Sequence, residues 1–229
     1  MSNFYTNNYP LINVYKKNSS KSEIVTQMIY GENFKIINKF SKWLKIKIKE
    51  DGYIGFIKNK KFISYFKPTH KVSVLVANIY KNSNYKKKTG RLTYTSKIKV
   101  EKIVSKFAKF QGVWIEIKNI KPINYENKNF FKDIEIFKSI KYKWGGKSFK
   151  GIDCSALIQV CLNFNNKFCP RDSAQQVNFF KKNINLKNIK KNDIIYWKGH
   201  VATAISGKKL IHAYGPQKRT LVMDIKETV

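Results

Sequence analysis

Over roughly the first 120 residues, apolar and polar side chains alternate in short runs, and a turn signal interrupts each run. Ile24-Val25-Thr26-Gln27-Met28-Ile29-Tyr30 stops at Gly31-Glu32, and Phe34-Lys35-Ile36-Ile37 follows. Trp43-Leu44-Lys45-Ile46-Lys47-Ile48 alternates up to Asp51-Gly52, and Tyr53-Ile54-Gly55-Phe56-Ile57 closes the set. Period-two alternation broken about every eight to twelve residues predicts a small barrel or sandwich.

The pattern then repeats with Val72-Ser73-Val74-Leu75-Val76, the turn-rich Lys81-Asn82-Ser83-Asn84, Ile98-Lys99-Val100 and Val113-Trp114-Ile115-Glu116-Ile117-Lys118. The two tryptophan strands point to two copies of one module. Pro68-Thr69-His70 and Lys121-Pro122-Ile123-Asn124 mark their ends, so the expected domains are residues 1–66, 67–123 and 124–229. Both copies resemble bacterial SH3 domains, with a Gly-Glu turn, a tryptophan strand and a Gly-Tyr-x-Gly turn. The match is closer in the first copy.

Composition enters through charge. The 229 residues carry 46 basic and 14 acidic side chains, a net +32, yet only Arg91, Arg171 and Arg219 are arginine. Lys, Asn and Ile share A/T-rich codons, so genome composition accounts for much of this charge. No apolar run reaches the ~20 residues of a membrane helix. The N-terminal Met1-Ser2-Asn3-Phe4-Tyr5-Thr6 lacks the basic start and apolar centre of an export signal, so a soluble cytoplasmic protein is expected. Cys154, Cys161 and Cys169 are odd in number and form no Cys-x-x-Cys pair, which argues against a disulfide framework or zinc ribbon.

Chemistry begins after residue 125. Asp133 to Ile140 is read as a short helix, followed by the loop Tyr142-Lys143-Trp144-Gly145-Gly146-Lys147. Asp153 is a favoured N-cap, and Cys154, Ile158, Cys161 and Leu162 share one helical face, so Cys154 opens a helix. The helix dipole and unpaired N–H groups there favour a thiolate, the form that acts as nucleophile. The plain alternative is a small apolar residue packed under the helix, and that is how Cys161 and Cys169 are read.

Two of the three histidines fall in one hairpin. Gly199-His200-Val201-Ala202-Thr203-Ala204-Ile205 and Lys209-Leu210-Ile211-His212-Ala213-Tyr214 flank Ser206-Gly207-Lys208. With those three residues as the loop, Ala202 pairs His212, and His200 lies on the same face one diagonal step away. A two-residue loop would separate the imidazoles. A base oriented by a polar group on the next strand, near a helix-start cysteine, is the thiol-protease arrangement in outline. His70 is read as an ordinary surface or core residue.

These residues carry a second resemblance. Tyr142-Lys143-Trp144-Gly145-Gly146 with Gly151-Ile152-Asp153-Cys154-Ser155-Ala156-Leu157 is similar to the nucleophile segment of NlpC-type cell-wall cysteine peptidases. Gly199-His200-Val201-Ala202 resembles their histidine strand, and Leu210-Ile211-His212-Ala213 the strand of their third polar residue. Pro170-Arg171-Asp172-Ser173-Ala174-Gln175-Gln176 resembles a motif of the SH3-bearing branch. Ala156 departs from the glycine usual after Asp-Cys-Ser.

The resemblance implies an α+β papain-like catalytic domain behind two all-β SH3-like barrels, with no cofactor or metal. It implies hydrolysis of the γ-D-glutamyl to diamino-acid bond (meso-diaminopimelate or L-Lys) in free murein peptides that begin with L-Ala. Cys154 is then the nucleophile, His200 the base and His212 its orienting partner. Tyr142 lies near the oxyanion, and Asp153 and Ser155 meet the substrate's free amine. Arg171 and Ser173 lie toward its acidic end, and Glu32 and Tyr53 lean in from the first barrel. The absent export signal adds the expectation of cytoplasmic peptide recycling.

Two other readings compete: a basic barrel module binding nucleic acid or another anionic polymer, and a family member that binds wall peptide without cutting it. The first is motivated by the net +32 and by 16 Phe, 13 Tyr and 4 Trp. The lysines are spread through all three segments and form no single stripe, so no specific nucleic-acid partner is expected. Retention of all three catalytic residue types argues against the second. A hydrolase acting on the intact wall is a further alternative, and oligomeric state stays open.

Overall fold

The Trp43–Ile48 strand shows how alternation builds the first sheet. Leu44, Ile46 and Ile48 are at most 2% exposed, whereas Lys45 and Lys47 turn away from the core. Each fully buried aliphatic side chain of this kind contributes about 2 kcal/mol. The structure is a computed structural model that describes residues 4–180 and 184–228. The first three residues of the segment read for an export signal lie outside them.

Seven strands form this sheet, in the order Ile24–Ile29, Leu11–Tyr15, Ile54–Lys58, Trp43–Ile48, Asn33–Lys39, Phe4–Thr6, Ile63–Ser64. It encloses a core of Ile12, Val14, Met28, Phe34, Leu44, Ile46, Ile48 and Ile57.

The strands from His70 to Pro122 form a five-stranded and a three-stranded sheet. In Val113–Glu116, Ile115 points inward and Trp114 is only half-buried, the same phase as Leu44 and Trp43. The strand expected over Val72–Val76 is split, because His70–Val72 belongs to one sheet and Val76–Tyr80 to the other.

Residues 1–125 make one compact unit, and the joint between its two halves is specific. Tyr30 lies in the second core, with Val72, Ile98 and Phe110. The Lys97 N–H donates to the Tyr30 carbonyl at 3.0 Å, and the Lys97 ammonium meets Glu50 at 3.2 Å. Gly31 sits between them at φ +83°, where a Cβ would run into the Lys97 carbonyl. The Gly31-Glu32 turn is therefore buried, and the Glu32 carboxylate accepts the Ile29 N–H at 2.9 Å.

Residues 126–229 form the second unit, α+β in class. Its four-stranded antiparallel sheet runs in sequence order through Ile194–Trp197, His200–Ala204, Lys209–Tyr214 and Arg219–Asp224. The Cys154–Phe164 helix packs on the two middle strands. One apolar face was expected for this helix. Instead, ten of its eleven residues are buried, as in a helix covered on every side. The polar groups drawn inside are met locally: Gln159 donates to the Cys169 carbonyl at 3.0 Å, and Asn165 to the Cys161 carbonyl at 2.8 Å.

The short helix expected over Asp133–Ile140 is only a 3-10 turn, Ile134–Phe137. Ser139 breaks it at φ +68° and donates its N–H to Thr220 in the last strand.

Candidate active site

Cys154 is the first residue of the central helix and is 6% exposed. Asp153 caps that helix in extended conformation, its Oδ1 accepting the Ala156 N–H at 2.8 Å. The environment works against the expected preformed thiolate. Burial pushes the Cys154 thiol up to about 11, and the neighbouring Asp153 charge adds to the effect. Backbone hydrogen bonds from Val201 and Ser155, with the Arg171 charge, act in the opposite direction without overcoming it. These influences favour the thiol at rest, a state from which a base has to take the proton before the sulfur can attack.

A candidate for that role stands on the neighbouring strand. The Val201 hydrogen bond places the sulfur against the strand that begins at His200. His200 Nε2 is 2.9 Å from His212 Nδ1, with ring centroids 5.0 Å apart. The register explains the meeting. Ala204 pairs Leu210, Thr203 pairs Ile211, and the Ile205 N–H donates to the Lys209 carbonyl at 2.9 Å, closing the Ser206–Lys208 loop. The three-residue loop is therefore the observed one, and both rings face the same side.

Aromatic rings fix the pair. Trp197 stands 4.9 Å from His200, and Tyr214 stacks on His212 at 4.7 Å and 9°. Burial lowers His200 from its usual value, and burial together with the His200 charge takes His212 down to about 4. Both imidazoles are neutral at neutral pH, so one ring nitrogen of His200 is available to accept a proton.

Tyr142 reaches the site from the loop before the helix, its N–H donating to Lys218 and its ring lying against Gly215. Burial, then the charges of Cys154 and Asp153, push its phenol up to about 12. It therefore stays a hydrogen-bond donor near the sulfur, suited to a developing oxyanion.

The expectations for Asp153 and Arg171 need correction. Asp153 is no open carboxylate awaiting an ammonium, since Arg171 grips it through Nη1 at 3.0 Å and Nη2 at 2.6 Å. Ser155 Oγ adds a donor at 3.2 Å. Arg171 is 1% exposed and also reaches Ser155 Oγ at 2.9 Å and the Gly146 carbonyl at 3.4 Å. A buried carboxylate needs such a partner, so the arginine is drawn inward rather than toward an acidic ligand group.

Ser173 opens the Ser173–Phe179 helix and lines a groove of about 410 Å³ with Val177, Tyr196, Trp197 and Gly199, next to His200. A second cleft, of about 480 Å³, holds none of the candidate residues. Glu32 and Tyr53 belong to the first unit and His70 to the same one, where Thr69 Oγ1 meets its Nδ1 at 2.9 Å.

Two supporting residues escaped the sequence reading. Gln176 donates to the Ser155 and Pro170 carbonyls at 3.0 and 2.9 Å, tying the second helix to the nucleophile turn. Its signal was available, one turn after Ser173 in the quoted motif. Met223 touches His212 from the last strand, a contact with no signal in the sequence because that strand was not foreseen. Among the described residues no cluster of His, Cys, Asp and Glu could hold a metal, and no helix is long and apolar enough to cross a membrane.

Residues 139–228 match the NlpC/P60 family, and residues 14–62 match the bacterial dipeptidyl-peptidase SH3 domain. Dipeptidyl-peptidase 6 of Lysinibacillus sphaericus is 36% identical over 72 residues, a stretch covering 31% of this chain and only 27% of that protein. The gamma-D-glutamyl-L-lysine dipeptidyl-peptidase of Bacillus subtilis (strain 168) is 25% identical over 232 residues, 90% of this chain and 77% of that one. A solved NlpC/P60 family protein from Bacillus cereus ATCC 10987 shares the fold, with a TM-score of 0.83 at 16% identity over 97% of this chain and 94% of that one.

Proposed function

We propose that the chain, whose residues 139–228 match the NlpC/P60 family and residues 14–62 a bacterial SH3 domain, is a cysteine peptidase that releases L-Ala-D-Glu from murein peptides. The bond cut is the one between γ-D-glutamate and the diamino acid, L-Lys or meso-diaminopimelate. The observation that carries the reading is the His200–His212 contact of 2.9 Å beside a helix-start thiol. The names of the relatives supply the substrate class.

In this reading His200 takes the Cys154 proton as the sulfur attacks the γ-glutamyl carbonyl carbon. His212 holds the resulting imidazolium through the Nε2–Nδ1 contact, and Tyr142 donates to the oxyanion. His200 then returns the proton to the leaving amine as the C–N bond breaks, leaving a thioester on Cys154. Water, deprotonated by His200, hydrolyses the thioester and regenerates the thiol.

The second unit is read as papain-like and residues 67–123 as a second SH3-like barrel. Ser155 and Ser173 remain proposed substrate contacts, whereas the Glu32 carboxylate is buried and already accepts the Ile29 N–H within its own unit. Asp153 and Arg171 enter instead as the buried pair that holds the nucleophile turn. Peptide recycling in the cytoplasm is the proposed setting, and three free thiols fit a reducing compartment.

Digestion of L-Ala-γ-D-Glu-L-Lys and its diaminopimelate analogue, with and without N-acetylation, tests the substrate. Cleavage of the free peptides with strong loss on acetylation is expected. Equal cleavage of acetylated peptide, or of intact peptidoglycan, would replace recycling by wall remodelling.

A further inference from the structure

We propose that Met223 is a positioning residue that sets the tautomer of the histidine pair, acting through His212. The inference rests on the proposed roles of His200 and His212.

The chain of contacts is short. Met223 Sδ lies 3.2 Å from His212 Nε2, and His212 Nδ1 lies 2.9 Å from His200 Nε2. A thioether has no proton and can only accept, weakly, from a donor. Facing it, Nε2 of neutral His212 carries the ring proton, and Nδ1 is left with the lone pair. That lone pair accepts from His200, so the proton of neutral His200 also sits on Nε2. The nitrogen of His200 left unprotonated is then Nδ1, which is free to take the Cys154 proton. The sulfur thus dictates, two hydrogen bonds away, which nitrogen of the base is basic.

The opposite arrangement fails at each contact. A proton on His212 Nδ1 would leave two lone pairs, Nε2 and Sδ, facing one another at 3.2 Å. His200 would have to accept at Nε2 and carry its proton on Nδ1, so it could not serve as base toward the thiol. A doubly protonated His212 would satisfy the sulfur but donate from Nδ1 to His200 Nε2, again leaving the His200 proton on Nδ1; the low value near 4 fits its exclusion.

The geometry that delivers Met223 is built into the last hairpin. His212 pairs Leu221 and Leu210 pairs Met223, so Met223 lies diagonally from His212 on the same sheet face. It also packs against the Ile195, Ala202 and Leu210 cluster, which holds the sulfur in place. Tyr214, stacked on His212, keeps the ring from rotating away from both partners.

The test is imidazole ¹⁵N NMR on the wild type and on Met223→Leu, a volume-conserving swap that removes the acceptor. Only three histidines must be assigned. In the wild type, both His200 and His212 should show protonated Nε2 and bare Nδ1. In M223L, His212 should populate the Nδ1–H form, Cys154 should react more slowly with iodoacetamide, and kcat should fall about tenfold at unchanged KM, a fraction of what a general base supplies. A wild-type His212 protonated at Nδ1, or an M223L protein with unchanged tautomers, alkylation rate or kcat, would overturn the proposal. The NMR and alkylation arms use no peptide, so they stand even if the substrate assignment fails. The wild-type spectrum can overturn the proposal by itself, because a His212 protonated at Nδ1 sinks it whether or not M223L folds.

Discussion

Arg171 and Asp153 form a two-pronged ion pair at 2.6 and 3.0 Å, both buried, directly beneath the first turn of the helix that presents Cys154. The same guanidinium bonds Ser155 and the Gly146 carbonyl, so it joins the loop carrying Tyr142 to the nucleophile turn. Removing one member strands the other charge out of water, a loss of about 3–5 kcal/mol. Arg171→Ala and Asp153→Ala should therefore lower the denaturation midpoint strongly, while the double Arg171→Met, Asp153→Leu variant recovers part of the loss. Arg171→Lys should fall between, since an ammonium cannot hold both oxygens. Thermal melts of the four variants decide this; a near-neutral Arg171→Ala would mean that the pair is not structural.

The histidine pair predicts an unequal split between its members. His200→Ala should cost about 10²–10⁴-fold in kcat/KM, the range for a general base. His212→Gln should keep part of the activity, because a neutral acceptor can still orient His200. Steady-state assays of both variants check the split, and a fully active His200→Ala would remove the mechanism.

For the thiols, Cys154 should be alkylated faster than Cys161 or Cys169. It alone is partly exposed, and the other two are 0% exposed, with burial pushing Cys161 up further still. Mass mapping after a timed iodoacetamide pulse checks the order, and Cys154→Ala should abolish turnover while keeping the fold. Equal labelling of all three would dissociate the sulfur from its base.

How far the sequence carried can be read from these same residues. The hairpin register was legible because a loop of Ser206–Lys208 leaves one pairing that keeps both imidazoles on a face. The N-cap was legible because Asp153 has a local job, set by the next three residues. Arg171 was not, since a charge drawn inward is defined by its partner in space, 18 positions away. Tyr30 looked like the end of a first-barrel strand, and nothing nearby in sequence says that its ring belongs to the second core. The strand Arg219–Asp224 alternates too weakly to stand out before its pairing with Lys209–Tyr214 is known.

The joint in the first unit predicts a local lesion. Gly31→Ala would force a Cβ into the Lys97 carbonyl at a positive φ, so Tyr30 must withdraw from the second core. Unfolding of the isolated 1–125 segment is not needed to see it; hydrogen exchange on the full chain should show protection lost around Tyr30 and Lys97. Unchanged exchange there would mean that the two halves do not depend on this turn.

The pH profile separates a resting thiol from a resting thiolate. Because burial lowers His200 below its usual 6.5 and His212 lies near 4, acidification protonates the base only below 6.5, and activity should fall on that side. Folding stability should drop in the same direction: as pH falls from 6.5 toward 4 the unfolded chain takes up protons on these histidines before the folded one does. Above 6.5 both forms of the chain hold them neutral, and this contribution becomes constant. On the alkaline side the thiol, pushed up to about 11, keeps its proton across the whole neutral range, so kcat/KM should form a broad plateau rather than a narrow bell. The decisive measurement is the ultraviolet thiolate absorbance of the wild type minus that of Cys154→Ala. It should be absent at neutral pH and rise only in strong alkali. A thiolate signal already present at neutral pH would show that the helix start and His200 outweigh burial, and that the proton leaves Cys154 before substrate arrives.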